Sequence, residues 1–216
     1  MARLKVGVLI SGRGSNLQAL LDACADPAFP AEIVAVLSNR PGAAGLERAR
    51  AAGVAAGVVD HRAYPNRAAF EEALDRTLRD AGVGFVCLAG FMRLLTPWFV
   101  ERWRDRMINI HPSLLPAFPG LDTHRRAIEA GVRFTGCTVH FVRAEMDDGP
   151  ILVQAAVPVL PRDDEHALAA RVLEAEHRCY PLALRLVAEG RARVAGVRVE
   201  ISDAAGPAGA VLNPEA

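Results

Sequence analysis

Val6 to Ile10 is an unbroken apolar run; Ser11-Gly12-Arg13-Gly14-Ser15-Asn16 follows it directly, and Leu17, Leu20 and Leu21 then recur at helical spacing as far as Cys24. A strand that is apolar at successive positions must be covered on both faces, which is the condition of a parallel sheet wrapped by helices. The pairing repeats down the chain. Ile33 to Leu37 reads as a second strand, Ala43 to Ala52 as a second helix and Gly57 to Asp60 as a short third strand. Asn66 to Asp80 is amphipathic, with Phe70, Leu74 and Leu78 on one face, and Val83 to Leu88 is again apolar. Such alternation predicts an α/β fold: a mostly parallel, right-handed wound, twisted sheet with helices on both faces. In sheets of this kind ligands collect at the carboxyl ends of strands. Those ends carry the Gly14 loop, the segment Ala89 to Leu95 and the run that follows Met107 to Ile110.

The second half changes pattern. Thr96-Pro97 is a cap followed by proline in the first turn of a helix that reaches Arg104. Gly136 to Val142 and Ile151 to Val159 read as an antiparallel hairpin with Glu145-Met146-Asp147-Asp148-Gly149-Pro150 at its tip. A long helix starts at Asp163 or Asp164 and runs to about Glu189, with a kink expected at Pro181. Val194 to Ile201 reads as one more short strand, and 203–216, rich in Ala, Gly and Pro, as a disordered tail. The expected organisation is a single domain over 1–202, with a phosphate-binding half in 1–100 and a catalytic half in 101–202.

Composition removes several function classes. Lys plus Arg number 25 and Asp plus Glu 25, so overall charge gives no case for a nucleic-acid partner. The four cysteines show no C-x-x-C spacing and the six histidines no H-x-x-x-H pair, so no metal is expected. Cys87 and Cys137 lie in strand-like runs, as buried reduced thiols do. No apolar stretch is long enough for a bilayer, and the opening apolar run is too short for a leader. A cytoplasmic enzyme, monomer or homodimer, is expected.

The chemistry gathers in Asn109-Ile110-His111-Pro112-Ser113-Leu114-Leu115-Pro116. Asn109 and His111 are two apart, so at the end of an extended strand they project from one side. An amide donor beside an imidazole suits acyl transfer through an oxyanion. The Gly14 loop, placed between a strand and a helix start, presents free backbone N–H groups to a phosphate, with Ser15 and Asn16 as further donors or caps. It is not the dinucleotide fingerprint, because Leu17 stands where a third glycine belongs and Ser38-Asn39 where a ribose-binding carboxylate belongs. A plain strand-to-helix turn that needs glycine is the alternative for this loop alone. His124 is either a ligand contact or a helix-start hydrogen bond, and Glu176 either a ligand contact or a surface charge.

Taken together, the runs Ile10 to Ala19, Gly45 to Arg50, Leu88 to Arg93, Asn109 to Pro116 and Gly136 to Pro150 resemble the glycinamide ribonucleotide formyltransferase family. The resemblance covers Val6 to about Glu189 and implies that family's Rossmann-like fold and its folate-dependent formyl transfer. It implies Gly14, Ser15 and Asn16 on the substrate phosphate and Glu176 on its sugar or amine. Arg67, Met92, Arg93, Leu94, Leu95, Asn109 and the stretch Arg143, Ala144, Glu145, Met146 and Asp147 would line the folate pocket. Asn109, His111 and Asp147 would be catalytic, with Thr138 and His140 supporting them. The partners implied are glycinamide ribonucleotide and 10-formyltetrahydrofolate, the latter as co-substrate. Ala144 departs from the acidic or aliphatic residue usual there. The related methionyl-tRNA formyltransferases and formyltetrahydrofolate hydrolases share the Asn-x-His loop and the aspartate. Each carries a further domain, and neither has a reason for the Gly14 loop. A non-catalytic folate- or nucleotide-binding module is the remaining alternative.

Overall fold

A computed structural model describes residues 2–203, 206 and 209–214. The strands are β1 (Leu4–Ile10), β2 (Ala31–Ser38), β3 (Ala56–Val58), β4 (Phe85–Leu88), β5 (Met107–His111), β6 (Phe134–Phe141) and β7 (Ile151–Pro158). They form one sheet in the order β3-β2-β1-β4-β5-β6-β7. β3 to β5 pair in parallel, and β6 and β7 join as an antiparallel extension. The winding direction reverses between β1 and β4, and this opens a crevice beyond their carboxyl ends, where Ser11 and Gly90 stand.

Among the described residues six α-helices cover the sheet: α1 (Ser15–Ala25), α2 (Gly45–Ala51), α3 (Arg67–Asp80), α4 (Pro97–Arg102), α5 (Thr123–Glu129) and α6 (Glu165–Ala188). Alternate strand residues feed opposite cores, as the period of two requires. Val8, Ile10, Cys87 and Ile108 pack with Leu17, Leu20, Leu46 and Leu168 from α1, α2 and α6. Leu9, Val86, Leu88 and Met107 pack on the other face with Phe70, Leu74, Phe99 and Trp103 from α3 and α4. The α/β class and the mostly parallel sheet stand as the sequence predicts, including the antiparallel pair and the long helix.

Several details differ. The helix expected over 43–52 is shorter, because the turn before Gly45 still bonds as a loop. The strand expected over Val194 to Ile201 is a hairpin, β8 (Ala192–Ala195) and β9 (Arg198–Ile201), reversed at Gly196 with φ 63°. Neither Ser15 nor Asn16 caps α1; Gly14 holds the cap position in the left-handed region at φ 74°. α6 is one uninterrupted helix across Pro181, with Cys179, Tyr180, Ala183 and Leu184 buried on either side of it. The Tyr180 hydroxyl donates to the Leu88 carbonyl at 2.8 Å and lies 3.2 Å from that of Ile108, tying α6 to β4 and β5. Of the expected tail, 204, 205, 207, 208, 215 and 216 lie outside the described residues; the Asn213 amide donates to the carbonyls of Arg133 and Val159 at 2.6 and 3.2 Å.

Candidate active site

β5 ends in Asn109 and His111, and the antiparallel register sets Asn109 opposite His140 and His111 opposite Thr138. All four side chains follow from that pairing. The His140 Nδ1 lies 3.1 Å from the Phe141 carbonyl, which accepts its N–H. Nε2 is then a lone-pair acceptor, and the Asn109 amide nitrogen sits 3.3 Å from it. One amide N–H is thereby engaged, and the other has no hydrogen-bond partner among the described residues. Burial pushes the His140 imidazole below the usual histidine range, which preserves the neutral, accepting form. Thr138 donates to the Ser113 carbonyl at 2.7 Å and accepts from the Leu115 N–H at 3.0 Å, clamping the Pro112–Pro116 loop. Ser113 is itself buried and donates to the Ala117 carbonyl at 2.6 Å, as a loop brace rather than a nucleophile.

Asp147 reaches His111 from the loop between β6 and β7. Its Oδ2 stands 3.5 Å from His111 Nδ1 and accepts the Gly120 N–H at 2.8 Å. His111 Nε2 lies 3.0 Å from the Phe118 carbonyl. Both ring nitrogens therefore face acceptor oxygens. Of the amide and imidazole that the sequence sets side by side, the imidazole already has the Phe118 carbonyl as a partner for Nε2. The loop can close this tightly because residue 149 is glycine: a Cβ there would fall 1.5 Å from the Phe141 carbonyl oxygen.

A second cluster joins the start of α1 to the middle of α6. Asn16 donates to Glu176 Oε2 at 2.8 Å, while its own Oδ1 is buried without a partner. Glu176 is buried, not a surface charge, and desolvation pushes its carboxyl up to about 7, against the lowering effect of the Asn16 bond. Gly14, Ser15 and Asn16 open α1, so their N–H groups are the unpaired ones of a helix start.

The expected folate-lining residues divide. Met92, Arg93, Leu94 and Leu95 lie on the loop after β4, with Met92 and Leu94 exposed. Ser11 accepts the Met92 N–H at 2.8 Å and donates to Asn39 Oδ1 at 2.5 Å, so this loop is pinned to the ends of β1 and β2. Glu71, fully buried on α3, accepts the Thr96 N–H at 2.8 Å and pins the other end of the loop. Arg67 is exposed at the start of α3. Ala144, Glu145 and Met146 are exposed, and Asp147 is the member of their loop that turns inward to His111. Arg143 is tied to Asp105 at 2.6 Å, and with Glu145 and Arg104 it lines a cavity of about 650 Å³ bounded by Val197 and Val199. His124 keeps its Nδ1 buried and unpartnered, and burial lowers its pKa. Sequence reasoning missed Ser11, Asn39 and Glu71, whose contacts join residues 25 to 81 positions apart.

Among the described residues no group of three His, Cys, Asp or Glu side chains could hold a metal ion. No helix among them is long and apolar enough to cross a membrane.

Comparison with known proteins gives this geometry a family. Residues 4–184 match the family model described as formyl transferase. The chain belongs to that family. Phosphoribosylglycinamide formyltransferase of Escherichia coli is 46% identical over 191 residues, covering 88% of this chain and 90% of that formyltransferase. The glycinamide ribonucleotide transformylase 1 structure from Symbiobacterium toebii superposes with a TM-score of 0.91 at 54% identity, covering 93% of this chain and 95% of that one. The trifunctional purine biosynthetic protein adenosine-3 of Drosophila pseudoobscura pseudoobscura is 54% identical over 193 residues, which cover 88% of this chain and span 14% of that much longer protein.

Proposed function

We propose that the chain transfers the formyl group of 10-formyltetrahydrofolate to the amine of glycinamide ribonucleotide. The observation that carries this reading is the meeting of Asn109, His111 and Asp147 at the end of β5, in a chain that also opens α1 with the Gly14 loop. Relatives named for this activity align along nearly their full length. The folate supplies an activated formyl group on nitrogen. Exposed Met92, Leu94 and Met146 on the two loops offer apolar surface that suits an aromatic co-substrate.

The substrate phosphate sits on the N–H groups of Gly14, Ser15 and Asn16, where the start of α1 favours an anion. Glu176 accepts from the sugar or amine. The amine is its own nucleophile, so no covalent enzyme intermediate is needed. As it attacks the formyl carbon, the free amide N–H of Asn109 donates to the developing oxyanion, and the His111 charge adds positive potential. Asp147, acting with a water molecule, takes the proton from the attacking amine and returns it to the departing folate nitrogen. His140 keeps the Asn109 amide aimed, and Thr138 holds the loop that follows.

The test is formyl transfer by the purified protein, followed by folate absorbance, with glycinamide ribonucleotide against water as acceptor. Transfer that requires the ribonucleotide is expected. Hydrolysis at the same rate without it would assign the site to a formyltetrahydrofolate hydrolase instead.

A further inference from the structure

Gly45-Leu46-Glu47-Arg48-Ala49-Arg50 carries part of the family resemblance, yet no step of formyl transfer uses it. The structure sets this run, as α2, against the Gly14 loop. The Gly45 N–H donates to the Gly12 carbonyl at 3.0 Å. Arg48 Nε donates to the Arg13 carbonyl at 3.0 Å, and its Nη1 reaches Gln18 Oε1 on α1 at 3.1 Å. The two backbones touch: a Cβ on Gly14 would lie 2.8 Å from the Gly45 Cα, and one on Gly45 would lie 2.6 Å from Ile10 Cδ1.

The consequence follows from the peptide bond. In a trans peptide the carbonyl of one residue and the N–H of the next point in opposite directions within one rigid plane. Gly45 holds the Gly12–Arg13 plane by its carbonyl, and Arg48 holds the Arg13–Gly14 plane by its carbonyl. The N–H groups of Arg13 and Gly14 are thereby turned away from α2. Without a donor on the Arg13 carbonyl, that plane is free to rotate and to present an oxygen to an incoming anion. Among the described residues the Arg48 guanidinium makes no ion pair, so its charge also adds to the positive field at the loop.

We propose that Arg48 is a positioning residue for the phosphate of the nucleotide substrate, acting through the Arg13–Gly14 peptide plane rather than by touching the substrate. This rests on the proposed formyl transfer to glycinamide ribonucleotide. The experiment compares wild type with Arg48→Met on two acceptors, the ribonucleotide and the riboside that lacks its phosphate. It also measures ribose 5-phosphate binding by calorimetry. The expected result is a fall of about tenfold in kcat/KM for the ribonucleotide, carried by KM, with the riboside unchanged and ribose 5-phosphate weakened by about the same factor. An equal fall on both acceptors marks a general structural defect and overturns the proposal, as does an unchanged ratio between them. A wild-type protein that does not formylate the ribonucleotide overturns the proposed function instead, and calorimetry then still reads the effect of Arg48 on phosphate binding.

Discussion

Asp147 holds a left-handed backbone conformation, φ 58°, which non-glycine residues seldom adopt. The Gly120 N–H and the His111 ring hold its carboxylate in place. Asp147→Asn keeps the shape and removes the proton acceptor, so kcat should fall by roughly 10²–10⁴ with the melting temperature little changed. Steady-state rates and a thermal melt on the same preparation check this; near-wild-type kcat would remove Asp147 from the proton path. Asn109→Ala removes the oxyanion donor and should cost roughly 10²–10³ in kcat. It also leaves His140 Nε2 without its donor, so restoring kcat by a nearby substitution that refills only that bond would show positioning rather than donation. The pairing of Asn109 and His111 was legible in the sequence because side chains two apart on a strand share a face, whereas Asp147 was named only through the family resemblance. The main-chain groups that hold His111 and Asp147 were not. The Phe118 carbonyl and the Gly120 N–H are main-chain atoms, and any residue type supplies them.

At the scale of elements, α3 was legible as an amphipathic helix with Phe70, Leu74 and Leu78 inward, and Asn66 caps it through the Ala69 N–H at 2.9 Å. Its polar burial was not. Glu71 is fully buried, accepts both the N–H and the hydroxyl of Thr96, and so joins α3 to the start of α4. A glutamate one position after an apolar residue reads as solvated until the partner, 25 positions on, is known. Glu71→Ala leaves the half-buried Thr96 N–H unpaired, which costs about 1–3 kcal/mol in denaturant unfolding. Because Thr96 ends the loop that bears Met92 to Leu95, KM for the formyl folate should rise while that for the ribonucleotide holds. Equal changes in both would show that the loop does not depend on this anchor. The β8–β9 hairpin was missed for a simpler reason. The apolar positions change phase at Gly196, from Ala192 and Val194 to Val197, Val199 and Ile201, and a single glycine within so apolar a run reads as strand interior although here it lies in the turn.

For the molecule as a whole, two buried groups bind protons in opposite senses and should shape its stability against pH. His140 is held below the usual value of 6.5 by burial. The unfolded chain therefore takes up a proton there first, and stability is lost as pH falls below about 6.5. Glu176, where α6 meets α1, is raised from 4.5 to about 7, chiefly by desolvation. The folded chain keeps that proton longer than the unfolded one. Its contribution is complete below about 4.5 and is lost as pH rises through 7, because the carboxylate must then ionise in a site closed to water. Glu176→Gln keeps an acceptor for the Asn16 amide and cannot ionise. Urea unfolding at pH 5 and pH 8.5 should show wild type weakening more than the variant over that interval, by ~3 kcal/mol at most. The variant should also bind the ribonucleotide less well at the higher pH, where wild type offers a carboxylate to the sugar or amine. Parallel stability curves for the two proteins would mean that Glu176 ionises freely in the folded state. The Asn16 bond would then be an ordinary surface contact, not a buried link between the phosphate loop and α6.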